Sequence, residues 1–220
     1  MMSHMRSILI FLAAAAAFAG ETVQTPIDND QVKVLNVTVQ PHEKTRLHQH
    51  QINRVMVYLT AGSQDFYYPS SPKTDQTFKA GEMKWSPAGG LHIAEITSAN
   101  PVNIIEIELK KPGAGLAANA SALDPVKVDP KHYRVELEND QVRVLRVIIG
   151  PHQSTPVHEH VLNRVLTYIS DQNIRVTKPD GKSEITRHKP GEVSMGGPAK
   201  HKEENLNDRP FEVVVVEMKY

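Results

Sequence analysis

The chain carries one segment twice, at positions 110 residues apart. Residues 29–35 (NDQVKVL) recur as residues 139–145 (NDQVRVL), and the match continues without a gap to residues 58 and 168. The identical pairs in that stretch include Pro41 and Pro151, His42 and His152, Thr45 and Thr155, His48 and His158, His50 and His160, Asn53 and Asn163, Arg54 and Arg164, and Tyr58 and Tyr168. Self-similarity of this extent predicts two copies of one structural unit in tandem.

Each copy consists of short segments rich in β-branched residues that prolines and glycines interrupt, and neither shows a sustained helical period. The clearest strands are predicted at residues 32–39, 54–60, 102–109, 142–149 and 211–218. Many short strands joined by such turns are typical of an all-β sandwich or barrel. We therefore expect domains at residues 22–110 and 131–220. Residues 111–130, where a Pro-Gly stretch leads into an Ala/Ser-rich segment, are expected to be a linker.

The N-terminus resembles a cleaved secretory signal peptide. Arg6 precedes an apolar stretch that ends at Phe18, and Ala17-Phe18-Ala19 has the small-x-small pattern of a cleavage site. A transmembrane anchor is disfavoured, because the stretch is too short and too rich in alanine to cross about 30 Å of hydrocarbon. We expect a signal peptide at residues 1–19 and a periplasmic or secreted mature chain with no membrane span.

Composition restricts the partners and the chemistry. The 25 basic side chains balance 25 acidic ones, so no positive excess indicates binding to nucleic acid. No cysteine is present, which excludes disulfides, a thiolate nucleophile and thiolate-ligated metals. Histidine occurs 11 times, and its distribution carries the functional prediction.

The histidines lie in two recognisable patterns. His48 and His50 are separated by one residue, and the segment from Gly81 to His92 reads G-x5-P-x-G-x2-H. These segments resemble the two cupin motifs, G-x5-H-x-H-x3/4-E-x6-G and G-x5-P-x-G-x2-H-x3-N. The second copy repeats the pattern with His158, His160 and His201. Because the resemblance covers nearly all of the mature chain, the chain is similar to a bicupin, with two tandem cupin jelly-roll (double-stranded β-helix) barrels.

Strand geometry explains why such histidines bind metal. Residues i and i+2 of a strand project from one face, so His48 and His50 can join His92 of another strand around one ion. Three imidazoles suit zinc, copper, iron or nickel and leave positions open, as in catalytic sites. We expect a divalent transition metal, with zinc or copper favoured if the protein folds after export, and iron, nickel or manganese as further candidates. The alternative is that the histidines only fill the barrels.

The two cups are expected to differ. Lys200 and Lys202 flank His201 on a shortened loop, and their charge opposes a cation, so tighter metal binding is expected in the first cup. His42 and His152 stand where the first motif has its opening glycine. Histidine tolerates positive φ better than most residues, so we expect the turn to survive.

Arginine replaces the glutamate of the first cupin motif in both copies. Counting by twos from His48, the face that carries the histidines also carries Arg54, Met56 and Tyr58. A buried guanidinium must be paired. Three roles stay open for Arg54: contact with an anionic ligand, an ion pair with an internal acid, or a position at the rim with its head in solvent. The same alternatives apply to Arg164. Tyr58 and Tyr168 face the cups and either line the ligand site or pack in the core.

The resemblance implies a metal-binding protein, and two functions are consistent with it. One is a metal-dependent enzyme acting on a small, anionic organic acid or similar polar molecule, such as a dioxygenase-like oxidoreductase, an isomerase or a hydrolase. In that enzyme Arg54, Arg164, Tyr58 and Tyr168 would contact the substrate. The other is a non-catalytic binding or interaction protein on the same barrels, since fold does not fix function. No general base stands out, and either protein could form a homodimer.

Overall fold

A computed structural model describes residues 16–18 and 21–220. The signal peptide expected at residues 1–19 lies outside the described residues apart from residues 16–18. In the described part of the chain no helix is long and apolar enough to cross a membrane. Nearly all regular structure there is β-strand, which confirms the all-β prediction.

Apart from β1, each strand of the first unit has a counterpart in the second. The first unit contains β1 (Ala16–Phe18), β2 (Glu21–Asp28), β3 (Val32–Val39), β4 (His48–His50), β5 (Arg54–Tyr58), β6 (Gly62–Tyr67), β7 (Thr74–Phe78), β8 (Met83–Ser86), β9 (Gly89–Ile96) and β10 (Val102–Leu109). After helix α1 (Pro125–Val128), the second contains β11 (Tyr133–Glu138), β12 (Val142–Ile149), β13 (His158–His160), β14 (Arg164–Tyr168), β15 (Gln172–Thr177), β16 (Ser183–His188), β17 (Val193–Gly196), β18 (Ala199–Asn205) and β19 (Phe211–Met218).

Four of the five predicted strands have the predicted bounds, and the remaining one, β5, ends at Tyr58 rather than at residue 60. The chain leaves the ladder there because Thr60 accepts the amide hydrogen of Asn103 with its hydroxyl, at 3.0 Å. The expected turns are also present, since His42 and His152 have φ of 61° and 55°.

Each unit is a pair of antiparallel sheets that closes around a cup. In the first unit the larger sheet has the order β1-β2-β3-β10-β5-β8 and the smaller one β4-β9-β6-β7. In the second unit the orders are β11-β12-β19-β14-β17 and β13-β18-β15-β16. The histidine-bearing strands β4 and β13 therefore lie beside β9 and β18, which each supply a third histidine.

The larger sheets of the two units pack face to face and share one apolar core. Residues of β10 alternate between the two sides: Ile105 and Ile107 join this shared core, whereas Ile104 faces the first cup. Val214 and Val216 of β19 join the same core from the second unit. The barrels are therefore joined by a hydrophobic interior rather than by a flexible connection.

Polar contacts cross the same interface reciprocally. Asn53 donates from Nδ2 to Oε1 of Gln141 at 2.9 Å, and Asn163 donates from Nδ2 to Oε1 of Gln31 at 3.1 Å. Each asparagine directly precedes the arginine of its own cup. The contact thus recurs with the roles of the two units exchanged.

The connecting segment at residues 111–130 is packed against the second unit. Ala118 and Asp124 in it are buried, and Asp124 accepts a hydrogen bond from Arg143 of β12 at 2.6 Å. The segment also contains helix α1, which the sequence pattern did not predict. It is therefore a structural part of the second barrel as well as a connection.

Candidate metal centres and the two cups

The three histidines of the first cup converge. His48 and His50 lie on β4, and His48 is directly opposite His92 of β9 in the ladder. One ring nitrogen from each lies within 4.8 Å of the others. His48 and His50 are partly exposed, and His92 is buried.

The second cup repeats this arrangement in a more buried form. His158 on β13 faces His201 on β18, and with His160 they form a second group whose ring nitrogens lie within 4.8 Å of one another. All three are buried, and His158 has no exposed surface. The shortened loop therefore still delivers His201 to the cup, as the motif predicted.

Arg54 has an internal acid as its partner. Its Nη1 donates to Oε2 of Glu106 at 2.8 Å and to Nδ1 of His50 at 2.5 Å, and its Nε donates to Oγ of Ser86 at 3.2 Å. Of the three roles left open by the sequence, the structure shows the ion pair with an internal acid. A contact between Arg54 and a ligand stays a prediction.

These contacts set the protons of the first triad. A guanidinium can only donate, so Nδ1 of His50 must accept, and the proton of a neutral His50 then lies on Nε2. Nε2 of His50 is 3.1 Å from Nε2 of His48 and donates to it, since His48 gives its own proton to the carbonyl of Arg46 at 2.7 Å. The nitrogen of His50 that would face a metal thus carries a hydrogen.

In the second triad the corresponding histidine, His160, carries its hydrogen on the other ring nitrogen. Nδ1 of His160 donates to Oε1 of Glu217 at 2.7 Å, which leaves Nε2 of His160 free of hydrogen. Glu217 is held by the buried Arg143, whose Nε donates to Oε2 at 2.6 Å. Nδ1 of His158 lies 3.1 Å from the carbonyl oxygen of Pro156, which fixes the orientation of its ring.

At this position the ring nitrogen of His160 is available to a metal, whereas that of His50 carries a hydrogen. Burial lowers the pKa of His158 to about 4 and also lowers the pKa of His160, against the effect of Glu217. Burial and the charge of Arg54 lower the pKa of His50 to about 3. Neutral imidazoles are the ligand form that metals require, and the two cups differ in this respect at His50 and His160.

Arg164 differs from Arg54 in its partners. It is 7% exposed, and its Nη1 donates to the carbonyl of Gly197. No carboxylate of the described residues forms an ion pair with it, because Val215 stands where the first repeat has Glu106. Gly196 replaces Ser86, and a Cβ at Gly196 would lie 3.0 Å from the guanidinium carbon of Arg164. Burial lowers the pKa of Arg164.

Sequence reasoning missed two polar residues of the second cup. The hydroxyl of Tyr133 lies 3.1 Å from Nε2 of His158 and donates to Oε2 of Glu203 at 3.1 Å. Oε1 of Glu203 is 3.6 Å from Nε2 of His201. Burial raises the pKa of Glu203, but its contact with His201 outweighs this and holds the carboxyl below its usual range. Glu203 was detectable, since it lies two residues after His201 on one strand.

The two tyrosines predicted to face the cups do so. Tyr58 stacks on Phe78 with ring centroids 4.0 Å apart and accepts a hydrogen bond from Gln76 at 3.0 Å. Burial raises the pKa of Tyr58 to about 12. Tyr168 stacks on His188 at 3.9 Å and shares a hydrogen bond of 2.9 Å with Ser194. Both line cavities, and their role as ligand contacts stays a prediction.

The cavities of the two cups differ in size. The first cup encloses a cavity of about 550 Å³ and the second one of about 330 Å³. Apolar side chains such as Val37, Met56 and Ile104 form much of the wall in the first. In the second the lining includes Lys178 and Lys200 besides Arg164.

Neither a protein family model nor a curated protein matches the sequence, so likeness is found at the level of structure. AerE from Microcystis aeruginosa is 11% identical, with a TM-score of 0.64 over 92% of this chain and 94% of that one. A cupin 2 conserved barrel domain protein from Leptotrichia buccalis is 14% identical, with a TM-score of 0.57 over 94% and 92%. A variant of oxalate decarboxylase from Bacillus subtilis is 13% identical, with a TM-score of 0.64 over 93% and 74%.

A further structure of that oxalate decarboxylase is described by its Mn(II) centres. The likenesses span both units of this chain, and each unit has the paired sheets and the histidine triad expected from the cupin motifs. The protein therefore has the bicupin fold, with two cupin-like barrels in tandem.

Proposed function

We propose that the protein is a metal-dependent enzyme whose second cup acts on a small organic acid. The observation that carries the proposal is Arg164, a buried guanidinium with no carboxylate ion-pair partner among the described residues, in the cup where Nε2 of His160 is free of hydrogen. An unpaired buried charge is costly, so a ligand carboxylate that completes the pair would bind favourably.

His158, His160 and His201 are the residues that would hold the metal. When bound there, a divalent transition metal supplies Lewis-acid or redox chemistry. The stability order at imidazole ligands favours zinc or copper. Manganese is the main competitor, because a structurally similar oxalate decarboxylase is described by its Mn(II) centres.

The other polar groups of the cup have distinct roles in this proposal. Arg164 orients the carboxylate of the substrate. Glu203 is a carboxylate beside His201 that can accept a proton, and the hydroxyl of Tyr133 holds it in place. Gln172 also lines this cavity and adds a polar side chain to its wall.

The site of action is also a proposal. The signal-like N-terminus supports export, and we place the enzyme in the periplasm or outside the cell. Detection of the mature chain in a periplasmic fraction, with its N-terminus at residue 20, would support this. Recovery of the uncleaved chain from the cytoplasm would contradict it.

The test combines elemental analysis with a substrate screen of the full chain. Small mono-, di- and hydroxycarboxylic acids are incubated with metal-loaded protein, and products are followed by NMR. We expect turnover of at least one acid, lost in His158→Ala and Arg164→Met and kept in the matched His48→Ala. Bound metal without turnover of any acid would instead favour the non-catalytic binding protein. Turnover lost only in His48→Ala would move the active site to the first cup.

A further inference from the structure

We propose that the first cup binds no metal and instead takes an uncharged, largely apolar organic molecule that carries a hydrogen-bond acceptor. This goes beyond the function proposed for the second cup, because it gives the other barrel a different ligand.

The first step is the hydrogen-bond chain through the triad. Nη1 of Arg54 donates to Nδ1 of His50, which fixes a hydrogen on the opposite nitrogen, and that hydrogen is directed at His48. The other tautomer of His50 would place two donors 2.5 Å apart. Every hydrogen in this series of hydrogen bonds has an acceptor in the absence of a metal. A metal could not bind His50 until Arg54 moved away.

Arg54 also blocks a second group of side chains whose spacing would suit a metal. His50, Glu106 and Glu108 have donor atoms within 4.8 Å of one another, but Arg54 donates to both His50 and Glu106. The guanidinium therefore takes the place that a cation would have. Phe66 lies edge-on to His92 with ring centroids 5.3 Å apart, so an apolar ring lies against the triad. The second repeat has Val176 at the position of Phe66.

The second step is the chemistry of the cavity. A volume of about 550 Å³ is within the range of sites for drug-sized molecules, and such sites have mainly apolar walls. The lining carries three basic residues and three acidic residues, so it has no formal net charge. They are Arg46, Arg54, Lys84, Glu21, Glu106 and Glu108. Because Glu106 neutralises the charge of Arg54, an anionic ligand would gain little electrostatic binding energy in this cavity. An uncharged ligand therefore fits best.

The third step identifies the polar contact. Tyr58 is 2% exposed, lines the cavity, and accepts a hydrogen bond from Gln76. Its own hydroxyl hydrogen has no acceptor among the described residues. A carbonyl or ether oxygen on the ligand would supply one, so the ligand class is an apolar molecule with such an oxygen, for instance an aromatic ketone.

The organic ligand is tested with 6-propionyl-2-dimethylaminonaphthalene, an uncharged aromatic ketone whose fluorescence reports an apolar site. We expect one site per chain in the full-length protein, with the same affinity before and after zinc loading. Met56→Trp fills the first cavity and should abolish binding, while the matched Leu166→Trp in the second cup should leave it unchanged. Tyr58→Phe should weaken binding several-fold, and it keeps the test valid if Met56→Trp fails to fold. Equal binding in wild type, Met56→Trp and Tyr58→Phe would overturn the assignment.

Metal exclusion is tested by zinc stoichiometry, with circular dichroism to show that each variant is folded. We expect one equivalent per chain, retained by His48→Ala and lost in His158→Ala. Replacing Arg54 by Met together with Glu106 by Val removes the guanidinium without leaving its acid unpaired, and this double variant should gain a second equivalent. Two equivalents in the wild type, one of them lost in His48→Ala, would overturn metal exclusion. A double variant that still binds only one would show that Arg54 is not the barrier.

Discussion

Oε1 of Glu217 lies 2.7 Å from Nδ1 of His160 and accepts its hydrogen, so that one carboxylate orients a histidine of the second triad. In the first repeat the corresponding glutamate, Glu108, has no such contact, because Nδ1 of His50 is bonded to Arg54. The two cups thus differ at the atom that decides whether the histidine can bind a metal.

The first prediction tests this contact. Glu217→Gln should weaken zinc binding at the second triad by about 10- to 100-fold. The substitution removes the negative charge of the carboxylate, and the amide that replaces it orients His160 less strongly. Zinc affinity measured by competition with a chelator gives the result. Glu108→Gln in the first repeat is the matched control and should leave the affinity unchanged. An equal loss in both variants would contradict the role of Glu217.

The second prediction concerns the two arginines. Arg164→Met should reduce binding of a small dicarboxylate such as malonate by about 2 kcal/mol, the scale for losing a charge-assisted hydrogen-bonded pair. Arg54→Met should leave that binding unchanged, since Arg54 is already paired with Glu106. Calorimetric titration of zinc-loaded protein measures both. If Arg54→Met produced the larger loss, the ligand carboxylate would belong in the first cup.

The third prediction is one of stability. Arg54→Met should lower the free energy of unfolding by about 3–5 kcal/mol, because it leaves Glu106, 13% exposed, without its partner. Adding Glu106→Val, the residue type that the second repeat has there, should recover most of the loss. Chemical denaturation of the single and double variants measures the coupling. Additive losses in the double variant would show that the pair is not an energetic unit.

How much of this could be predicted from sequence depends on which contacts are local. The period of two in His48, His50 and Arg54 was sufficient to place them on one face, and the repeat was sufficient to predict the second triad. The partner of Arg54 was not predictable, because it depends on β10 lying beside β5 in the sheet. Strand order is a long-range property that no local pattern contains.

The expectation about the lysines shows a second kind of limit. Lys200 and Lys202 were expected to weaken the second site because they flank His201 in sequence. Along β18 they alternate with it, so His201 is buried while both lysines are exposed. The favourable contact joins His160 to Glu217, 57 residues later in the sequence, so no local sequence pattern could predict it. These observations favour metal binding in the second cup, and the order of metal affinity of the two cups stays a prediction.

The fourth prediction concerns the shared core. Ile107 is fully buried between the barrels, and Ile107→Ala should cost about 2–5 kcal/mol. Since the core belongs to both units, unfolding should remain one transition. Fluorescence of Trp85, the single tryptophan, reports the shared core from the first barrel, and far-ultraviolet circular dichroism reports the strands of both barrels. Coincident curves are expected in wild type and variant. Separate transitions would show that the barrels unfold independently.

The reciprocal contacts of Asn53 with Gln141 and of Asn163 with Gln31 have an evolutionary consequence. An interface that repeats with exchanged partners is self-complementary, which is the geometry of a symmetric dimer of two identical subunits. A single ancestral repeat could have paired with its own copy through this face, but both cups of such a dimer would have shared every substitution. Two repeats with separate sequences are free of that constraint. In this chain one cup has Glu106 as the partner of its arginine, while the other has Glu203 beside its histidines.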